Sequence, residues 1–86
     1  MKMVILYHPV SEQARKVEEF ARDFERTQHV KPELVSLETK EGADLARVYD
    51  AVQYPAIIVT RDDGSHMKQW EGEKLPLMDE VAARLR

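Results

Sequence analysis

Two short apolar runs, Met3–Tyr7 and Ala56–Val59, constrain this chain more than any other feature. Each is continuous rather than alternating, and each is far shorter than a buried helix. That is the pattern of a strand covered on both faces, and such strands belong to sheets sandwiched between helices. Pro9 ends the first run. From Ser11 the period changes: Ala14, Val17, Phe20, Ala21 and Phe24 recur at helical spacing, with Glu12, Arg15, Glu18, Glu19, Arg22, Asp23 and Arg26 on the opposite face. Ser11 is placed as the N-cap, with Glu12 favourable in the first turn, and the helix is expected to fade at Thr27–His29, before Pro32.

Leu34–Leu37 reads as a second strand and Thr39–Gly42 as a turn. Leu45, Val48, Tyr49 and Val52 follow the i, i+3, i+4, i+7 rule, which predicts a second helix over Ala43–Ala51 with those four side chains inward. Ala56–Thr60 is the third strand. Arg61-Asp62-Asp63-Gly64 is a hairpin turn in which Asp-Gly supplies positive φ, and Ser65–Trp70 is the fourth strand. Glu71-Gly72 closes it. Pro76 suits the first position of a last helix, with Leu77, Val81, Ala82 and Leu85 on one face. The order β-α-β-α-β-β-α, with a right-handed crossover between the first two strands, predicts an α/β fold. Its sheet is mixed and four-stranded, in the order 2-1-3-4, with the outer helices on one face and the middle helix on the other.

At 86 residues the chain reads as one small domain spanning 1–86, with no linker, repeat or low-complexity segment. The net charge is −3, and basic residues are interleaved with acidic ones. A nucleic-acid partner needs a clustered basic face, and an anionic membrane surface needs one too; neither is expected. No stretch approaches the roughly 20 apolar residues of a membrane span, and the first apolar run is shorter than a signal-peptide core. The chain contains no cysteine, which removes thiol redox chemistry, thiolate nucleophiles and Cys-ligated metals together. A reducing, cytoplasmic location is the matching expectation. His8, His29 and His66 are scattered with no acid at ligand spacing, so no metal site is expected.

The layout resembles the thioredoxin-like superfamily in its short, glutaredoxin-sized form. Val4-Ile5-Leu6-Tyr7 resembles that family's first strand, and Ala14 matches the helix alanine three residues after its second cysteine. This alignment puts His8 and Ser11 where the family carries C-x-x-C, so the slot reads H-x-x-S. Tyr54-Pro55, immediately before the third strand, matches the family's cis-proline, and an aromatic before proline favours the cis form. Gly72 resembles the glycine turn after the fourth strand. The glycine pair and aspartates with which glutaredoxins hold glutathione are not reproduced: Gly72 is followed by Glu73-Lys74, and the acidic Glu71 and Glu73 would repel an anion.

The resemblance implies a ligand or partner groove formed by Tyr7, His8, Pro9, Ser11, Tyr54, Pro55, Glu71 and Gly72. A nucleophilic Ser11–His8 pair lacks an identifiable orienting acid, so Ser11 as a helix cap is the preferred role and no catalytic residue is assigned. The N–H groups at the start of the first helix, with Arg15 and Lys16 nearby, are the anion contacts a glutathione or carboxylate ligand would use. Trp70 is expected in the core rather than as an exposed anchor. Lys68 is expected to guard the edge formed by the fourth strand. The leading expectation is a redox-inactive, non-enzymatic module that binds a protein partner through the groove. The alternatives are a glutathione-binding, transferase-like enzyme using Ser11 or the helix N-terminus, and a homodimer or assembly subunit joined through the edge strand.

Overall fold

The computed structural model describes residues 2–63, 65–72, 74–76 and 78–84. Strands β1 (Lys2–Tyr7), β2 (Glu33–Ser36), β3 (Ala56–Thr60) and β4 (His66–Glu71) form one sheet in the order β2-β1-β3-β4. β1 and β2 are parallel, while β3 runs antiparallel to β1, and β4 to β3. Helices α1 (Ala14–Gln28), α2 (Lys40–Val48) and α3 (Met78–Arg84) complete the chain. The α/β architecture and strand order are those the sequence pattern predicts.

The strand alternation splits the core in two. On one face Met3, Ile5, Ile57 and Val59 meet Val17, Phe20, Ala21 and Phe24 of α1 and Val81 and Ala82 of α3. On the other, Leu6, Ala56 and Ile58 meet Val35, Ala46 and Ala51 beside α2. Every residue of β3 is buried, as its apolar run requires. Burying each large apolar side chain of the first face stabilises the fold by roughly 1.5–3 kcal/mol relative to exposure.

Three local expectations are corrected. α1 begins at Ala14 and not at Glu12 behind a Ser11 cap; its N-cap is Gln13, which makes no side-chain capping bond. The Ser11 hydroxyl instead donates back to the carbonyl of His8 at 2.7 Å. That bond satisfies an acceptor at the end of β1, so residues 9–13 turn before the helix winds. α2 begins at Lys40 because Thr39 caps it: Thr39 Oγ1 accepts from the Gly42 N–H at 3.0 Å and donates to the Ser36 carbonyl at 2.7 Å. The inward face of α2 is accordingly Gly42, Leu45, Ala46 and Tyr49, whereas Val48 and Val52 are 72% and 73% exposed. A glycine does not register in an apolar count, so the helical phase is displaced by one step when read from leucine and valine alone. Gly42 is required there for space, since a Cβ would collide with the carbonyl oxygen of Ser36.

The last two elements fall close to their expected limits. Asp63 organises the β3–β4 turn, accepting from the Ser65 N–H at 2.9 Å and the Ser65 hydroxyl at 2.7 Å; these bonds hold its carboxyl below the ordinary range. Gly64 lies outside the described residues, as do Leu77 and Leu85 of the last helical pattern. Trp70 pairs in register with Ile57 and packs on the α1/α3 core, with the Lys68 ammonium 5.9 Å from its ring centroid.

Candidate functional site

The chain reversal at one end of the sheet gathers the expected groove residues from three loops. β1 ends there at Tyr7, β3 begins there at Ala56, and β4 ends there at Glu71, because Leu6 pairs with Ala56 and Ala56 with Glu71. Tyr7 is half-buried against the α1/α3 core. His8 and Ser11 are exposed, Pro9 and Tyr54 half-buried, and Pro55 buried. The Tyr54–Pro55 peptide bond is cis.

His8 and Tyr54 meet edge to face, ring centroids 5.7 Å apart and planes at 82°. Such a contact adds about 0.5–1.5 kcal/mol beyond buried area between well-packed aromatics. Tyr54 is also anchored at its far end, where its hydroxyl donates to the Ala51 carbonyl at 2.9 Å. Ser11 lies on the same loop as His8, but its only proton is already given to the His8 carbonyl. Arg15 Nε is 3.3 Å from Glu19, one turn further from the helix start, and both side chains are more than half exposed. Lys16 is exposed on the same turn.

The least anticipated contact involves Glu71. Its Oε1 accepts from the backbone N–H groups of Val52 at 2.6 Å and Gln53 at 3.1 Å. Those two bonds, with help from the Gln69 side chain, lower its carboxyl below the ordinary glutamate value despite some desolvation. The next residue, Gly72, donates its N–H to the Pro55 carbonyl at 3.2 Å. Gly72 has φ +108°, and this backbone conformation is what calls for glycine there. Turn chemistry marks Glu71 and Gly72 as a turn beside the groove. It carries no signal for a carboxylate bridging two amides 18 and 19 residues away.

A surface depression of about 580 Å³ adjoins this rim, lined by Trp70, Glu71, Lys74, Leu75, Pro76 and others. It shares Glu71 with the rim, and its lining does not include His8, Ser11 or Tyr54. Among the described residues no group of three His, Cys, Asp or Glu side chains is placed to hold a metal ion. None of their helices is long and apolar enough to cross a membrane.

No family model and no curated protein matches the chain by sequence. By structure, it is similar to thioredoxin 1 from the thermophilic eubacterium Thermosipho africanus TCF52B. The TM-score is 0.71, at 10% sequence identity, over 99% of this chain and 90% of that one. The chain has a thioredoxin-like fold. This thioredoxin-like domain contains no cysteine.

Proposed function

We propose that this thioredoxin-like domain is a redox-inactive binding module whose contact surface is the rim carrying His8, Ser11, Tyr54, Pro55 and Gly72. Thiol–disulfide exchange requires a thiolate, and the chain has no cysteine to provide one. The observation that carries the reading is the His8–Tyr54 contact. Two aromatic side chains from separate loops are held edge to face at 5.7 Å, with His8 left exposed. Exposed, preorganised aromatic pairs are favourable anchors because little side-chain entropy is lost when a partner covers them. The proposed partner is a protein that lays an extended segment across the rim, and the proposed setting is the cytoplasm.

Two features weigh against the glutathione-dependent alternative. A thiolate held by Ser11 would need a hydrogen bond from its hydroxyl, which is committed to the His8 carbonyl, and this leaves only the helix N-terminus. Glu71 adds an ionised carboxylate to the same rim, where an anionic tripeptide would have to lie.

The test is selection of binders from a random peptide library, followed by amide NMR mapping and a parallel titration with reduced glutathione. Peptides that shift residues 8–11 and 54, and lose affinity about tenfold or more for folded His8→Ala and Tyr54→Ala, are the expected result. Binders that map elsewhere, or that ignore both substitutions, would overturn the reading. Saturable shifts on that rim with glutathione would transfer support to the enzyme alternative.

A further inference from the structure

The segment from Tyr49 to Pro55 has left α2 and has not yet entered β3, so no strand partner fixes it. It nevertheless carries Tyr54. Two consecutive residues at the end of β4 grip it: Glu71 Oε1 takes the N–H groups of Val52 and Gln53, and Gly72 N–H reaches the Pro55 carbonyl. The shorter of the Glu71 bonds is 2.6 Å, and an ionised carboxylate acceptor makes both bonds charge-assisted. Behind Glu71 on the same strand, Gln69 supports the carboxylate with its side chain, and Gln69 Oε1 is itself 3.1 Å from His66 Nε2.

We infer that Glu71 is a latch: its ionised carboxylate holds the Val52–Gln53 segment in the position that turns Tyr54 towards His8, and neutralising it releases Tyr54 from that contact. The consequence for binding rests on the proposed role of the His8–Tyr54 rim; the latch itself is a statement about conformation. Lys74 and Glu80 line the depression beside Glu71, and the His66 ring reaches it through Gln69. Hydrogen bonds, and not these charges, set its ionisation. Below the latch's midpoint the carboxyl carries a proton, its oxygens become weaker acceptors, and the two amides lose their strongest partner.

The experiment uses the intact chain and needs no partner. Amide NMR spectra are followed through an acid titration for the wild type, Glu71→Gln and Glu71→Ala, with β1 and β3 amides as the check on folding. In the wild type, the Val52 and Gln53 amides are expected to shift with one midpoint, shared with the Glu71 carboxyl and lying below the ordinary glutamate range. Both variants lose that titration. In Glu71→Ala, hydrogen exchange at Val52 and Gln53 rises about tenfold or more, and the His8–Tyr54 ring NOE weakens. Amides that do not follow Glu71, or a Tyr54 ring unmoved in Glu71→Ala, would overturn the latch. If that variant moves the loop yet library-selected peptides bind it unchanged, the latch stands and the groove reading fails. If the loop does not respond while His8→Ala and Tyr54→Ala abolish binding, the groove stands and the latch fails.

Discussion

Beneath α1 and α3 the sheet meets Phe20, Phe24, Val17 and Val81; on its other face it meets Ala46, Ala51 and the backbone of Gly42. The first face is held by volume. Large side chains fill it, and seven of them (Met3, Ile5, Val17, Phe24, Ile57, Val59 and Val81) are at most 1% exposed. The second face is thin, and close approach and polar devices take over where volume is lacking. Thr39 caps α2, Gly42 lets that helix touch the end of β2, Tyr54 ties its hydroxyl to Ala51, and Glu71 holds the amides of Val52 and Gln53. At the candidate site the Tyr54 loop of the thin face meets His8, on the loop that leads into α1. A surface held by a few directional bonds can be repositioned by changing one of them, whereas a packed core responds only by losing stability.

That contrast is open to direct attack, beginning where the effect is largest. Phe24→Ala should lower unfolding free energy by about 3–5 kcal/mol, read from urea denaturation; a loss under about 1 kcal/mol would mean the α1 face is not the principal core. Gly42→Ala comes next and tests the sign of a competition. Helix propensity alone favours alanine by about 1 kcal/mol, but the added Cβ meets the Ser36 carbonyl, so a net loss of about 1–3 kcal/mol is expected. A more stable variant would show that α2 is free to move off β2.

Thr39→Ala should cost about 1 kcal/mol through the lost cap, with helicity lost from α2 and not from α1. Glu71→Gln should destabilise the chain at neutral pH and progressively less in acid. Glu71 is more readily ionised when folded, so its contribution is full above its unfolded pKa and is lost as pH falls through the lower folded one. Matched urea midpoints at pH 7 and near pH 3 check this, and an equal deficit at both would remove the charge from the explanation. The smallest effect belongs to the surface of the thick face. Arg26 and Asp23 pair at 3.3 Å, with Arg26 exposed and Asp23 half-exposed, and Arg26→Ala should change stability by about 0.5 kcal/mol or less.

The same contrast governs what is legible in the amino-acid sequence. On the thick face, apolar residues carry the signal, and their spacing places α1, β1 and β3 to within a few residues of their observed limits. On the thin face the contacts are made by glycine, alanine and backbone groups, which hydropathy does not weigh. There the apolar spacing starts α2 three residues late and turns Val48 and Val52 inward, although both are exposed. Thr39 followed by Glu41 is the signal that marks the true start. Ser11 misleads for a related reason: a hydroxyl can serve a helix N–H ahead of it or a carbonyl behind it, and local sequence does not say which.

By itself, the sequence determined the order of elements, the strand sequence of the sheet and the absence of thiol chemistry, because periodicity, chain connectivity and composition are local or countable properties. Only the tertiary structure decided that His8 meets Tyr54 and that Glu71 grips Val52 and Gln53. Those contacts join loops distant in the chain through one ring pair and one carboxylate oxygen, and their existence depends on how three strand ends arrive at one rim, which no window of sequence contains.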